Sequence, residues 1–89
     1  MATITEARAR LARIAEALHH AEVICNRCDE VGADYQFAIE DGLVLDIGDR
    51  AVWEWVVATT GGATSIFAER QHRCDVGLLH VYYLEEDRP

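Results

Sequence analysis

Tyr35-Gln36-Phe37-Ala38-Ile39-Glu40-Asp41-Gly42-Leu43-Val44-Leu45-Asp46-Ile47 decides the fold, because its apolar residues recur at every second position on both sides of Asp41-Gly42. Alternation of period two marks half-buried strands, and Asp-Gly between two such runs marks a hairpin. A two-residue loop would set Phe37 against Asp46 and Ala38 against Leu45, mixing polar and apolar residues on both faces. A three-residue loop, Glu40-Asp41-Gly42 with Gly42 left-handed, pairs Ile39 with Leu43, Phe37 with Leu45 and Tyr35 with Ile47. The second register makes one apolar face and is the one expected.

Upstream of Gly32 the period is helical. Thr3-Ile4-Thr5-Glu6 fits a capping box, and Ile4, Ala7, Leu11, Ile14, Leu18, Ala21, Cys25 and Cys28 follow at alternating spacings of three and four. Gly32 is a natural stop. Downstream, Ala51-Val52-Trp53-Glu54-Trp55-Val56-Val57-Ala58-Thr59 is rich in aromatic and β-branched residues and reads as a strand. Residues 65–74 fit either a strand or a short helix. Leu78 to Leu84 is a final strand, with Leu79, Val81 and Tyr83 on one face and Leu78, His80, Tyr82 and Leu84 on the other. The acidic end, Glu85 to Pro89, is expected to fray.

The expected architecture is a single α+β domain over residues 1–89. In it a long N-terminal helix packs on a four- or five-stranded antiparallel meander sheet, in two layers. A helix of that length outruns the sheet, and an overhanging apolar seam invites a second copy or a partner helix.

The chain has 89 residues and a formal net charge of −8, with sixteen acids, eight Arg and no Lys. That balance makes nucleic acid a poor partner. The charge is localised: residues 29–54 hold eight acids (Asp29, Glu30, Asp34, Glu40, Asp41, Asp46, Asp49 and Glu54) against Arg50 alone. Solvated turns account for some of these. The sharper reading is a negative surface that steers a basic protein partner, with Trp53 and Trp55 on one sheet face as aromatic anchors. Val44, Val52, Val56 and Leu78 are candidates for a second apolar face of the sheet. No leader or membrane-spanning run is visible, and three Cys without a secreted spacing agree with a reducing, cytoplasmic setting.

Cys25-x-x-Cys28 with His72-x-Cys74 has the donor set of a Cys3His zinc site, since i,i+3 on a helix and i,i+2 on a strand each share a face. Against it, the two helical Cys occupy seam positions that any small apolar residue fills. Redox use is disfavoured as well, because both lie toward the helix C-terminus beside Asp29 and Glu30. Hydrolytic pieces such as Asp46 with Asp49, or His72 with Ser65, are bound by no motif, and the glycines make no phosphate-binding loop.

The expectation is therefore a non-enzymatic protein-binding domain without a cofactor, able to dimerise. A zinc-stabilised adaptor and a small ligand-binding domain or enzyme with a helix–sheet pocket are the alternatives. In size and acidity the chain resembles the small phage and mobile-element inhibitors of nucleic-acid machinery, such as anti-CRISPR and DNA-mimic proteins. The resemblance covers bulk properties only and transfers no residue roles.

Overall fold

Thr3 accepts a hydrogen bond from the Glu6 amide at 3.1 Å and starts the first helix, α1 (Ile4–Val31). Gly32 ends it at φ 70°, a left-handed value that only glycine adopts without strain. The computed structural model describes residues 3–68 and 70–85, apart from the side chains of 63, 67 and 68. Glu86 to Pro89, where fraying was expected, lie outside the described residues.

The hairpin follows as β1 (Tyr35–Ile39) and β2 (Leu43–Ile47), in the expected register: Tyr35 faces Ile47, Phe37 faces Leu45 and Ile39 faces Leu43. Gly42 is not left-handed as expected, since the positive-φ glycines are 32, 61 and 77. Its need is steric. A Cβ there would sit 2.8 Å from the Leu78 carbonyl, whose oxygen accepts the Leu43 amide at 3.0 Å.

Residues 51–59 are not a strand. They belong to α2 (Arg50–Thr60), opened by Asp49, whose carboxylate accepts the Ala51 and Val52 amides at 2.7 and 3.4 Å. Val52, Trp53 and Val56 are buried, the i, i+1, i+4 pattern of a helix face. Nearly every position in this run is apolar, so periods of 2 and 3.6 fit it equally well, and the N-cap decides. The ambiguous segment 65–74 resolves into β3 (Ala63–Ala68) and β4 (Gln71–Val76), and β5 (Leu79–Leu84) closes the sheet.

The helix changes the topology. α2 returns the chain from the Ile47 end of β2 to the Leu43 end, so β3 sets off in the same direction as β2. Two antiparallel steps then leave β5 parallel to β2, with Leu43 opposite Leu79 and Ile47 opposite Tyr83. The sheet order is β1-β2-β5-β4-β3, mixed rather than a meander.

Both helices lie on one face. Ala17, Ala21, Ile24 and Cys28 of α1 and Val52, Trp53 and Val56 of α2 meet Leu43, Leu45, Ile47, Cys74, Leu79, Val81 and Tyr83. Val52 and Val56 thus belong to the single core. The opposite face, where register places Gln36, Ala38, Val44, Asp46, Arg73, Asp75, His80 and Tyr82, carries no covering layer among the described residues and is largely polar.

α1 runs along the hairpin rather than across the sheet. Its Asp29 end lies by Tyr35 and its Arg10–Ile14 turn by Ile39 and Leu78. A helix of 28 residues is about 42 Å long, against about 17 Å for a five-residue strand. The first buried residue of α1 is Ala17, and residues 3–16 are all exposed.

The cap gives a direct check on α2. Asp49→Ala is expected to lower stability by about 1 kcal/mol, a fall in Tm of about 4–8 °C for a domain this size. Asp46→Asn, an exposed change, shifts stability by less than about 0.5 kcal/mol. Equal effects would contradict the cap.

Candidate functional site

The densest polar constellation is on the open sheet face. Register aligns Asp75 with His80 and Arg73 with Tyr82. Asp75 Oδ1 lies 2.6 Å from His80 Nδ1 and 2.8 Å from Arg73 Nε, and the Arg73 guanidinium sits 5.8 Å from the Tyr82 ring centre. A carboxylate can only accept, so Nδ1 carries the proton, and the 3.2 Å approach of the Arg73 amino group to Nδ1 sets two donors side by side. Burial pushes the Asp75 carboxyl up, but the hydrogen bonds from His80 and Arg73 outweigh it and hold the group below the ordinary carboxylate range.

An Asp–His pair supplies an oriented base, and catalysis would need a nucleophile against Nε2. That nitrogen is directed at Gly42, where an added Cβ would lie 3.3 Å away. Ser65 pairs with Arg73 on the far side of β4. Among the described residues no hydroxyl or thiol is hydrogen-bonded to His80.

The four proposed zinc donors are dispersed. Cys28 is buried in the core, and Cys25 is half-buried and hydrogen-bonded to Tyr35. Cys74 lies under the end of α2, bonded to Thr60. His72 stacks on Tyr83 and lies tilted against Trp53, at 6.1 Å from each ring, and meets Glu85 at 3.6 Å. Among the described residues no group of three or more His, Cys, Asp or Glu is placed to hold a metal. Burial, followed by the negative charges of Cys25, Asp29 and Asp49, pushes the Cys28 thiol up to about 11, the opposite of an activated thiolate.

The tryptophans do not share a face. Trp53 is buried, stacked 5.9 Å from Tyr83, whereas Trp55 points to the flank of α2 with the Arg27 guanidinium 5.3 Å over its ring. Two residues on a helix diverge by about 200°, so the strand reading of this segment misplaced both.

The eight acids of residues 29–54 split into groups. Glu40 and Asp41 sit at the hairpin tip. Asp29, Glu30, Asp34 and Asp46 gather around the opposite end, about 17 Å away along the strands. There Asp34, Gln36, Asp46 and Gly48 line an open groove of about 480 Å³. Glu54 is paired with Arg50 at 3.1 Å, Glu30 with Arg27 at 3.7 Å, and the Asp49 carboxylate caps α2. Asp29, Asp34 and Asp46 take part in no ion pair among the described residues. The last turn of α1 holds no basic residue, so Asp29 and Glu30 stand against the negative end of the helix dipole. Asp29 accordingly raises the Tyr35 hydroxyl as its leading cause and contributes to the rise at Cys28.

The remaining feature is a trough that the sequence reading missed. The buried stripe of α1 is Ala17, Ala21, Ile24 and Cys28. The seam Leu11–Ile14–Leu18 lies about a quarter turn away, toward the β1 edge. There Leu18, Ala21, Cys25, Tyr35 and Phe37 floor a depression of about 410 Å³ rimmed by Glu22, Asn26 and Asp29. It leads to a second, of about 270 Å³, between Arg10, Arg13, Ile14 and the hairpin tip. Phe37 remains 40% exposed and Ile39 76%, although both are on the helix-bearing face. Ala17 and Ile24, both off the expected seam, are the signal that could have located the buried side.

Comparison of this chain with known protein families, curated proteins and solved structures finds no match.

The depressed Asp75 pKa implies stability that is fully present above the unfolded carboxylate value near ~pH 4 and lost as pH falls through the folded value. Asp75→Asn is expected to lower stability at neutral pH by less than about 1 kcal/mol, since the pair is part-exposed. The penalty shrinks at about pH 3, in urea unfolding followed by circular dichroism. An equal penalty at both pH values would contradict the assigned network.

Proposed function

We propose that this chain is a non-enzymatic protein-binding domain whose acidic corner, formed by Asp29, Asp34 and Asp46, receives a basic protein partner. The observation that carries the reading is the charge held against the helix dipole at the end of α1. Asp29 and Glu30 repel that terminus, and Asp34 and Asp46 add to the same corner. Such an arrangement weakens the isolated fold and is relieved when a cationic surface docks. The Tyr35 hydroxyl, raised chiefly by the Asp29 charge, reports the same negative local potential.

This corner replaces the full strip expected from sequence. Glu40 and Asp41 lie at the other end of the hairpin, Asp49 and Glu54 are occupied within the chain, and Trp53 is a core residue. A basic partner of this kind includes proteins that hold nucleic acid, and the chain would then compete with that nucleic acid as an anti-CRISPR or DNA-mimic inhibitor does.

The test is affinity capture on immobilised protein, followed by measurement of salt-dependent affinity for the captured partner. Asp29→Asn, Asp34→Asn and Asp46→Asn together are expected to weaken binding at least about tenfold and flatten its salt dependence. Glu40→Gln with Asp41→Asn leaves it unchanged. Affinity that survives the corner variant would overturn the proposal. Displacement of the partner by duplex DNA or RNA supports the inhibitor version, and ternary binding counts against it.

A further inference from the structure

The molecule shows more surface than its mass requires. Its accessible area is 6327 Å² at 10.0 kDa, about 1,100 Å² above the roughly 5,200 Å² of a compact monomer that size. The radius of gyration is 14.2 Å, against about 12 Å for a compact chain of this length. A standard interface removes about 800 Å² from each partner, so the excess is of the size that one interface covers. Exposed apolar side chains on α1, Ile4 at 74% and Leu11 at 65%, and on the neighbouring edge of β1, Ile39 at 76%, contribute to it.

The exposed half of α1 also lacks a reason to be helical alone. Helices shorter than about 12–15 residues are marginal in water, and most helix stability in proteins comes from packing an apolar face. None of residues 4–16 is fully buried within the chain, Ile14 being the most covered at 36% exposed, yet they keep the a/d spacing of a coiled coil.

We infer that a second copy of this chain covers this side of α1, the two helices packing antiparallel about a two-fold axis near Ala15. In an antiparallel pair, a positions face d positions of the other helix. The register that uses the seam most fully sets Ile14 against the partner's Leu18, Leu11 against the partner's Ala21 and Ala7 against the partner's Cys25. Leu11 then fills the trough over the small Ala21 side chain, and the incoming helix covers Phe37.

Charge selects the same register. Its flanking positions bring Arg8 beside the partner's Glu22, twice by symmetry, with Ala15 beside the partner's Ala15 on the axis. Neither Arg8 nor Glu22 has an ion-pair partner within the described residues, and Glu22 stands on the trough rim. The overhang carries Arg8, Arg10 and Arg13 against Glu6 and Glu16, while the trough is rimmed by Glu22 and Asp29. An α1 laid head-to-tail on its copy therefore puts a basic half over an acidic one. This surface shares Asp29 with the acidic corner but not Asp34 or Asp46, which line a different groove, so the dimer goes beyond the proposed function and leaves those two carboxylates open.

Sedimentation equilibrium over about 1–200 µM tests it, with a species of about 20 kDa expected. Arg8→Glu alone and Glu22→Arg alone are each expected to raise the dimer dissociation constant about tenfold or more, and the double variant to restore it to within about threefold of wild type. Both positions are exposed, so the far-ultraviolet circular dichroism at high concentration keeps the sheet and the C-terminal half of α1. A monomer at 200 µM, or a double variant no better than either single one, overturns the inference. Failure here leaves the capture experiment on the acidic corner standing, and the reverse also holds.

Discussion

The packing of four α1 side chains, Ala17, Ala21, Ile24 and Cys28, onto Leu43, Leu45 and Ile47 sets the terms for everything else in this molecule. Three of the four are small, so the helix approaches the sheet closely along β2 and leaves room for α2 beside it. The strands beneath are only five or six residues long. A helix aligned with them can bury only about its C-terminal half. The exposed seam, the trough along β1 and the surplus of surface all follow from that mismatch in length.

The same contact organises the acidic corner. Because α1 runs antiparallel to β1, its C-terminus, the start of β1 and the end of β2 converge, with Asp29 in the trough on one side of Tyr35 and Asp34 and Asp46 in the groove on the other. Among the described residues no ion pair neutralises Asp29, Asp34 or Asp46, whereas Asp75 is enclosed by His80 and Arg73. The molecule satisfies one carboxylate fully and leaves another group of them facing water. That contrast separates a structural network from a surface suited to a charged partner.

Local features were readable in the sequence. Thr3 and Gly32 bound α1, the alternation around Asp41-Gly42 set the hairpin register to the residue, and the two faces of β5 followed from its period. Three features were not. Residues 51–59 carry apolar side chains at nearly every position, so no period stands out, and Asp49 looked like a turn residue when it is a helix cap. The pairing of β2 with β5 joins segments more than thirty residues apart and depends on that helix. Finally, an a/d seam shows that α1 has an apolar stripe without showing which stripe meets the sheet. Ala17 and Ile24 were the better guides, because close helix–sheet contact favours small and β-branched residues over Leu11 and Leu18. The zinc donors illustrate a related point: each pair shares a short spacing, but the fold puts Cys74 under α2 and Cys25 beside Tyr35.

The central claim is that α1 is only half covered by its own chain. Hydrogen exchange of the α1 amides, followed at about 1 µM and about 200 µM, addresses it most directly. The account predicts that residues 18–30 are protected equally at both concentrations, while residues 6–14 exchange rapidly when dilute and become protected when concentrated. Equal protection along the whole helix at the lower concentration would contradict it.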